Sequence, residues 1–175
     1  FIVRLRINSF KENSKKIWKP NVPVIVVGNI SMGGTGKTPL VKKLGQKLSE
    51  EGFSPGIVSR GYGGKYSETL EVTSDTTFKQ TGDEAQIFAK LKLPLFIDKN
   101  RPRAVKKLLD KYPQTNVILS DDGLQHYALG RDIEIAVIDG ARRLGNGLTF
   151  PAGPLREPRS RLNDCLLYTS DAADD

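Results

Sequence analysis

Ser31-Met-Gly-Gly-Thr-Gly-Lys-Thr38 brings glycines, a lysine and a hydroxyl together directly after the β-branched run Val24-Ile-Val-Val27. Glycine allows backbone N–H groups to turn inward around phosphate oxygens. A helix opening at Lys37 would aim its positive end at the same point. In such a loop Lys37 reaches the β- and γ-phosphates of a nucleoside triphosphate and the Thr38 hydroxyl ligates Mg²⁺. Ser31, Met32, Gly33, Gly34, Thr35, Gly36, Lys37 and Thr38 are therefore read as the nucleotide-binding residues. One position departs from the usual pattern: Ser31 stands where a first glycine is expected, five residues before Gly36, and Gly33 and Gly34 carry the turn instead. A glycine-rich strand–helix turn without a ligand is the alternative. Gly-Lys-Thr at the mouth of a helix argues against it.

A triphosphate cradle needs acids. Val117-Ile-Leu-Ser-Asp-Asp122 is an apolar run ending in paired carboxylates, which suits metal binding; a plain Asp-Asp-Gly turn is the alternative. Adjacent strand residues point to opposite faces, so Asp121 and Asp122 need not serve the metal equally. Gly82-Asp83-Glu84 puts two acids at a helix start, where they could simply complement the dipole. A kinase also needs a carboxylate beside the acceptor hydroxyl, and Asp83 is the candidate; Glu84 serves the metal or holds its neighbours. Ser59-Arg-Gly-Tyr-Gly-Gly64 offers Arg60 and Tyr62 to a substrate. His126, the only histidine, follows the acid pair, in either a structural or a substrate-contact role. Pro151-Ala-Gly-Pro-Leu-Arg-Glu-Pro158 reads as a rigid connector, with Arg156 and Glu157 at a hinge beside the nucleotide.

The elements that must position these residues alternate. Strands are expected over 22–28, 56–59, 70–73, 95–97, 117–120 and 133–138. Helices are expected over 37–51, 81–92 (with Thr81 or Asp83 as N-cap) and 101–111. Leu40, Val41, Leu44 and Leu48 mark one apolar face of the first helix. This alternation predicts an α/β, P-loop NTPase-like fold: a doubly wound, mostly parallel sheet with helices on both faces. The special residues follow the carboxyl ends of strands, where ligands bind in such sheets.

The 175 residues suit one α/β domain, placed at 21–164. Residues 165–175 show no helical or strand period and match one reading frame of a common sequencing-library adapter, so a non-native tail is expected. They hold the only cysteine, Cys165; a cysteine-free body needs no disulfide framework. They also hold three aspartates, so the net charge of +7 becomes +10 without them. Residues 1–20 carry Arg4, Arg6, Lys11, Lys15, Lys16 and Lys19 against Glu12 alone. Such a stretch fits the cytoplasmic edge of a membrane anchor or a solvated basic helix equally. Nucleic acid is not expected as a partner, because no recognisable module accompanies the charge.

V-P-V-I-V-V-G-N-I-S-M-G-G-T-G-K-T-P, S-R-G-Y-G-G, G-D-E, D-D-G-L-Q-H-Y, V-I-D-G and P-A-G-P-L-R-E-P, in this order, resemble the tetraacyldisaccharide 4′-kinase family over about residues 1–164. The family shares the departure at Ser31. The resemblance implies transfer of the ATP γ-phosphate to the 4′-hydroxyl of tetraacyldisaccharide 1-phosphate, a lipid A precursor, giving lipid IV(A). It implies ATP and Mg²⁺ as cofactors, and a membrane surface at the cytoplasmic face of the bacterial inner membrane. It assigns Lys37 and Thr38 to the phosphate loop, Asp121 and Asp122 to the metal, Asp83 to the catalytic base, and Arg60 and Tyr62 to the substrate loop. His126 matches the histidine after the metal pair, and Arg156 and Glu157 match the hinge motif. The family's N-terminal anchor helix and C-terminal domain would lie outside residues 1–164, so weak nucleotide binding and little activity are expected of this chain alone. A partition-type ATPase would carry a lysine at Met32, and a small GTPase would carry N-K-x-D; neither is present. A nucleotide-binding fragment without catalysis is the remaining alternative.

Overall fold

In the computed structural model, which describes residues 17–33 and 36–170, strands and helices alternate as the apolar runs predict. β1 (Val24–Gly28) leads through the glycine loop into α1 (Lys37–Glu50), followed by β2 (Pro55–Ser59) and a short β3 (Leu70–Glu71). Next come α2 (Phe78–Thr81), α3 (Asp83–Ala89), β4 (Leu95–Ile97), α4 (Arg101–Lys111), β5 (Val117–Asp121) and β6 (Ile133–Asp139). A 3₁₀ turn (Arg159–Asp164) then leads into β7 (Leu166–Ser170). The strands form one sheet in the order β3-β4-β2-β5-β1-β6-β7. β3 runs antiparallel to β4; the other neighbours are parallel.

Both faces of this sheet are buried, which is why its central strands read as continuous apolar runs rather than alternating ones. Val24 and Val26 pack with Ala104, Val105 and Leu108 of α4 on one face. Val27 packs with Val41 of α1 and with Ala85 and Phe88 of α3 on the other. Leu40, Leu44 and Leu48 join that second cluster, as their helical spacing predicts. Truncating a fully buried side chain such as Leu108 to alanine would cost about 2–5 kcal/mol.

The doubly wound reading holds, and three local expectations need correction. The helix expected over 81–92 is α3, which is shorter at both ends, and a separate short helix, α2, precedes it. Thr81 closes α2, which Thr77 and Gln80 open with a capping box. The N-cap of α3 is Gly82, neither Thr81 nor Asp83. Gly82 adopts φ 77°, ψ 171°, a conformation no helix continues through. The stretch 165–175, in which no strand period is read, includes a strand: Leu166–Ser170 pairs in parallel with β6, from Ile135↔Leu166 to Asp139↔Ser170. The free edge of β6 presents unpaired N–H and C=O groups, and a Leu-Leu-Tyr-Thr run can satisfy them. The minor strand is shorter than expected and antiparallel. Residues 1–16, which carry most of the basic N-terminal stretch, lie outside the described residues, as do Gly34, Thr35 and residues 171–175. No described helix is long and apolar enough to cross a membrane.

Register decides where the chemistry falls. β1 and β5 are neighbours, with Val27 opposite Asp121. The glycine loop and the acid pair therefore leave the sheet side by side, one strand spacing of about 4.8 Å apart.

Candidate active site

The glycine loop is braced from a distant part of the chain. Gly33 (φ 105°) and Gly36 (φ 73°) take left-handed backbone that only glycine enters freely, and Gly36 is the N-cap of α1. The Arg156 N–H donates to the Ile30 carbonyl at 2.5 Å, and the Met32 N–H donates to the Pro154 carbonyl at 2.9 Å. Ser31 forms a bridge with Leu155. The Pro-Ala-Gly-Pro-Leu-Arg-Glu-Pro segment, read as a connector, is thus the lateral support of the loop. The Lys37 ammonium, nearly buried, lies 3.5 Å from Asp122 Oδ1.

The two aspartates are sharply unlike. Asp121 ends β5 fully buried, and its Oδ2 accepts a 3.1 Å bond from the Ser59 hydroxyl. Among the described residues its Oδ1 has no hydrogen-bond partner. Burial, reinforced by the nearby charges of Glu84 and Asp122, pushes the Asp121 carboxyl up to about 7. Asp122 sits one residue past the strand, at φ 44°, which turns its side chain toward Lys37 and Arg156. Burial works to raise the Asp122 carboxyl, but Lys37 and Arg156 (3.4 Å) outweigh it and hold it below the usual aspartate range. The turn after β5 leaves the two carboxyls close enough to feel each other's charge.

The motifs around Arg60 and Asp83 are in contact. A Cβ on Gly82 would lie 2.0 Å from the Tyr62 carbonyl oxygen, and one on Gly64 would lie 2.4 Å from the Gln80 carbonyl. Both glycines are required for this backbone-on-backbone packing. It holds Asp83, exposed at the first turn of α3, against the Arg60–Gly64 loop. Tyr62 is 75% exposed and free to meet a large ligand. The Arg60 carbonyl accepts a bond from the Tyr66 hydroxyl.

Glu157 is completely buried. Its Oε1 accepts from Gln125 Nε2 at 2.6 Å, and its Oε2 accepts from the Tyr127 hydroxyl. Gln125 Nε2 also donates to the Asn29 carbonyl, just before the glycine loop. Three segments far apart in sequence are laced together here: residues 29–37, 121–127 and 154–157.

Arg101 was legible only as the start of a helix. It is 1% exposed, and its Nη1 and Nη2 donate to the backbone carbonyls of Asp98 (2.7 Å) and Asp121 (2.9 Å). Burial brings its guanidinium down to about 10. His126 stands near it. Burial, together with the positive charges of Arg101 and Arg60, pushes its imidazole down to about 3, so the ring is neutral at physiological pH. A hint of Arg101 was present in Asp98-Lys-Asn-Arg101, a charged cluster directly after a strand in an α/β pattern.

A parallel doubly wound sheet, a glycine loop running into α1, and a carboxylate pair on the neighbouring strand define a P-loop NTPase-like α/β protein. Within that class the assignment is specific. The model of the LpxK family, tetraacyldisaccharide-1-P 4′-kinase, matches residues 1–174, and the chain belongs to this family. It is 52% identical over 164 residues to the tetraacyldisaccharide 4′-kinase of Methylobacillus flagellatus, covering 93% of this chain and 49% of that protein. It is likewise 52% identical over 164 residues to the Coxiella burnetii tetraacyldisaccharide 4′-kinase, covering 93% and 50%. The solved structure of the "apo" form of LpxK from Aquifex aeolicus in complex with ATP superposes with a TM-score of 0.86 at 32% identity, covering 97% of this chain and 54% of that one. The chain spans about half the length of the curated relatives it matches.

Proposed function

We propose that the protein transfers the γ-phosphate of ATP to the 4′-hydroxyl of a tetraacyldisaccharide 1-phosphate, giving lipid IV(A), at the cytoplasmic face of the bacterial inner membrane. The observation that carries this reading is the register of β1 against β5 in a chain of this family: it sets Lys37 and the Asp121–Asp122 pair side by side. The acceptor is a lipid, so the reaction belongs at a membrane surface, which the basic stretch 1–20 would approach by its charge.

The oxygen donors present fit Mg²⁺. Among the described residues, Asp121 Oδ1 is buried without a hydrogen-bond partner and the Thr38 hydroxyl at the head of α1 makes no hydrogen bond. Thr38, Asp121 and Asp122 would hold the ion, and Glu84 would tune Asp121 by its charge. When bound, Mg²⁺ neutralises charge on the β- and γ-oxygens.

The chain's own residues do the rest. Lys37 exchanges its pairing with Asp122 for the phosphates, and Arg156 remains to balance that carboxylate. Asp83 accepts the proton of the 4′-hydroxyl from the open side of α3. Arg60 and Tyr62 hold the acceptor against it. The test is transfer of label from γ-labelled ATP to a tetraacyldisaccharide 1-phosphate. Label at the 4′-position, lost with Asp83→Asn, supports the proposal. Nucleotide hydrolysis at the same rate with and without the lipid would favour a partition-type ATPase instead.

A further inference from the structure

The glycine loop has a second flank. β6 lies beside β1 on the side away from β5, with Ala136 opposite Gly28. Its last residue, Asp139, and the turn that follows therefore stand next to the start of the loop. A cavity of about 200 Å³ opens there, lined by Ser31, Met32, Asp139, Arg142, Arg143 and Pro154. The residues assigned to phosphate transfer on the β5 side make no use of it.

Arg142 is aimed at the loop. A Cβ on Gly33 would lie 3.0 Å from Arg142 Nη1, so the guanidinium rests over the loop's backbone. Asp139 sets it there. Its Oδ1 accepts from the Ala141 and Arg142 N–H groups at 3.0 and 2.9 Å, and its Oδ2 lies 3.2 Å from Arg142 Nε. The Arg142 side chain is 69% exposed, and a single exposed pair of this kind holds weakly. Its Nη1 and Nη2 make no hydrogen bond among the described residues, so both remain for an arriving anion. Arg143 is also exposed and forms no ion pair among the described residues, so two guanidiniums stand here against one carboxylate. The start of the loop offers no cation of its own: Met32 and Gly33 occupy it, while Lys37 stands at the far end, 3.5 Å from Asp122.

We infer that Arg142 is a catalytic residue that closes on the γ-phosphate from the β6 side of the glycine loop, with Asp139 as the residue that positions it. This rests on the triphosphate reading proposed above. The helix end at Gly36–Thr38 cradles the β-phosphate, so the terminal phosphate falls toward the opposite rim, where Gly33 and Arg142 stand. Charge on a transferring phosphoryl group spreads over three equatorial oxygens and calls for donors on more than one side. Lys37 comes from α1, and the planar fork of Arg142 would supply two N–H donors from the other flank. Arg142 forms no covalent bond and exchanges no proton. The phosphoryl group still passes from ADP to the acceptor oxygen, and the hydroxyl proton still goes to Asp83. Asp139 keeps its backbone bonds throughout, so the turn stays in place while the guanidinium swings.

The test exploits the one phosphate by which two nucleotides differ. The chain is titrated by calorimetry with a non-hydrolysable ATP analogue and separately with ADP, both with Mg²⁺. Arg142→Ala should weaken the analogue about tenfold and leave ADP within about twofold. Arg142→Lys keeps the charge without the fork and should lose about threefold on the analogue alone. Asp139→Asn should show the same selective loss, at about threefold, because Arg142 is no longer held over Gly33. Arg142 is a surface side chain, so the urea midpoint of Arg142→Ala should stay within about 0.3 M of the parent's. Unchanged affinity for the analogue in Arg142→Ala, or an equal loss for ADP, would overturn the inference and leave the proposed function standing. Failure of the parent chain to bind either nucleotide would sink both.

Discussion

Replacing Glu157 by alanine should destabilise the protein by about 3 kcal/mol without touching a surface residue. The carboxylate is fully buried and takes bonds from Gln125, Tyr127 and, at 3.5 Å, Arg161. Arg161 keeps Glu134 at 2.5 Å, so its charge is not stranded. The Gln125 amide and the Tyr127 hydroxyl each lose their carboxylate. A bond to a charged group is worth about 1.5–3 kcal/mol, so two of them give about 3–6. Burying the carboxylate itself carries a penalty that disappears with it, which brings the net to about 3. With a urea slope of about 2 kcal/mol/M for a domain of this size, the midpoint should fall by about 1.5 M. Fluorescence of the single tryptophan, Trp18, packed on the core beside Leu129, reports the transition. Glu157→Gln keeps the shape and one acceptor and should lose about half as much. A midpoint within about 0.3 M of the parent's at unchanged slope would show that the network does not brace the loop as described.

Other outcomes follow from the same geometry. Asp121, held up to about 7 against an unfolded aspartate near about 4, keeps a proton in the native chain that the unfolded chain has already lost. Ligand-free stability should therefore fall as pH rises from about 4 to about 7. Asp121→Asn should flatten that limb and be the more stable form at pH 7, by up to about 4 kcal/mol, while losing Mg²⁺-dependent nucleotide affinity; parallel stability curves would contradict this. Gly82→Ala would force a Cβ toward the Tyr62 carbonyl at a positive φ, costing more than about 2 kcal/mol in a melt and displacing Asp83. Lys37→Ala should weaken nucleotide binding at least tenfold by calorimetry. Its ion pair with Asp122 is long and Arg156 remains, so the urea midpoint should move by less than about 0.5 M.

What could be read before the structure was what local pattern encodes. The span of α4 over Arg101–Lys111 was legible because Pro102 marks a first turn and Ala104, Val105 and Leu108 repeat at helical spacing. The glycine loop and the acid pair were legible because each is a short motif on a strand end. The short α2 before Gly82 and the need for glycine there were hidden, since the Tyr62 carbonyl that leaves no room for a Cβ comes from another loop. The unlike fates of Asp121 and Asp122 depend on one left-handed residue that no spacing reveals. Arg101 and Glu157 are buried charges, and composition rules place such residues on the surface. Strand pairing of Leu166–Ser170 needed knowledge of which edge of β6 stood open.

The brace on the glycine loop also bears on how the protein is made. The loop's ladder partner at Leu155 and the Arg156 N–H on Ile30 come from far along the chain, whereas the lysine and threonine of the loop are synthesised early. Closing so long a span is entropically slow. Nucleotide binding should therefore arise only after residue 157 has emerged and docked, long after α1 can form. The ability to take up a triphosphate would then serve as a reporter of completed folding, switching on late and all at once.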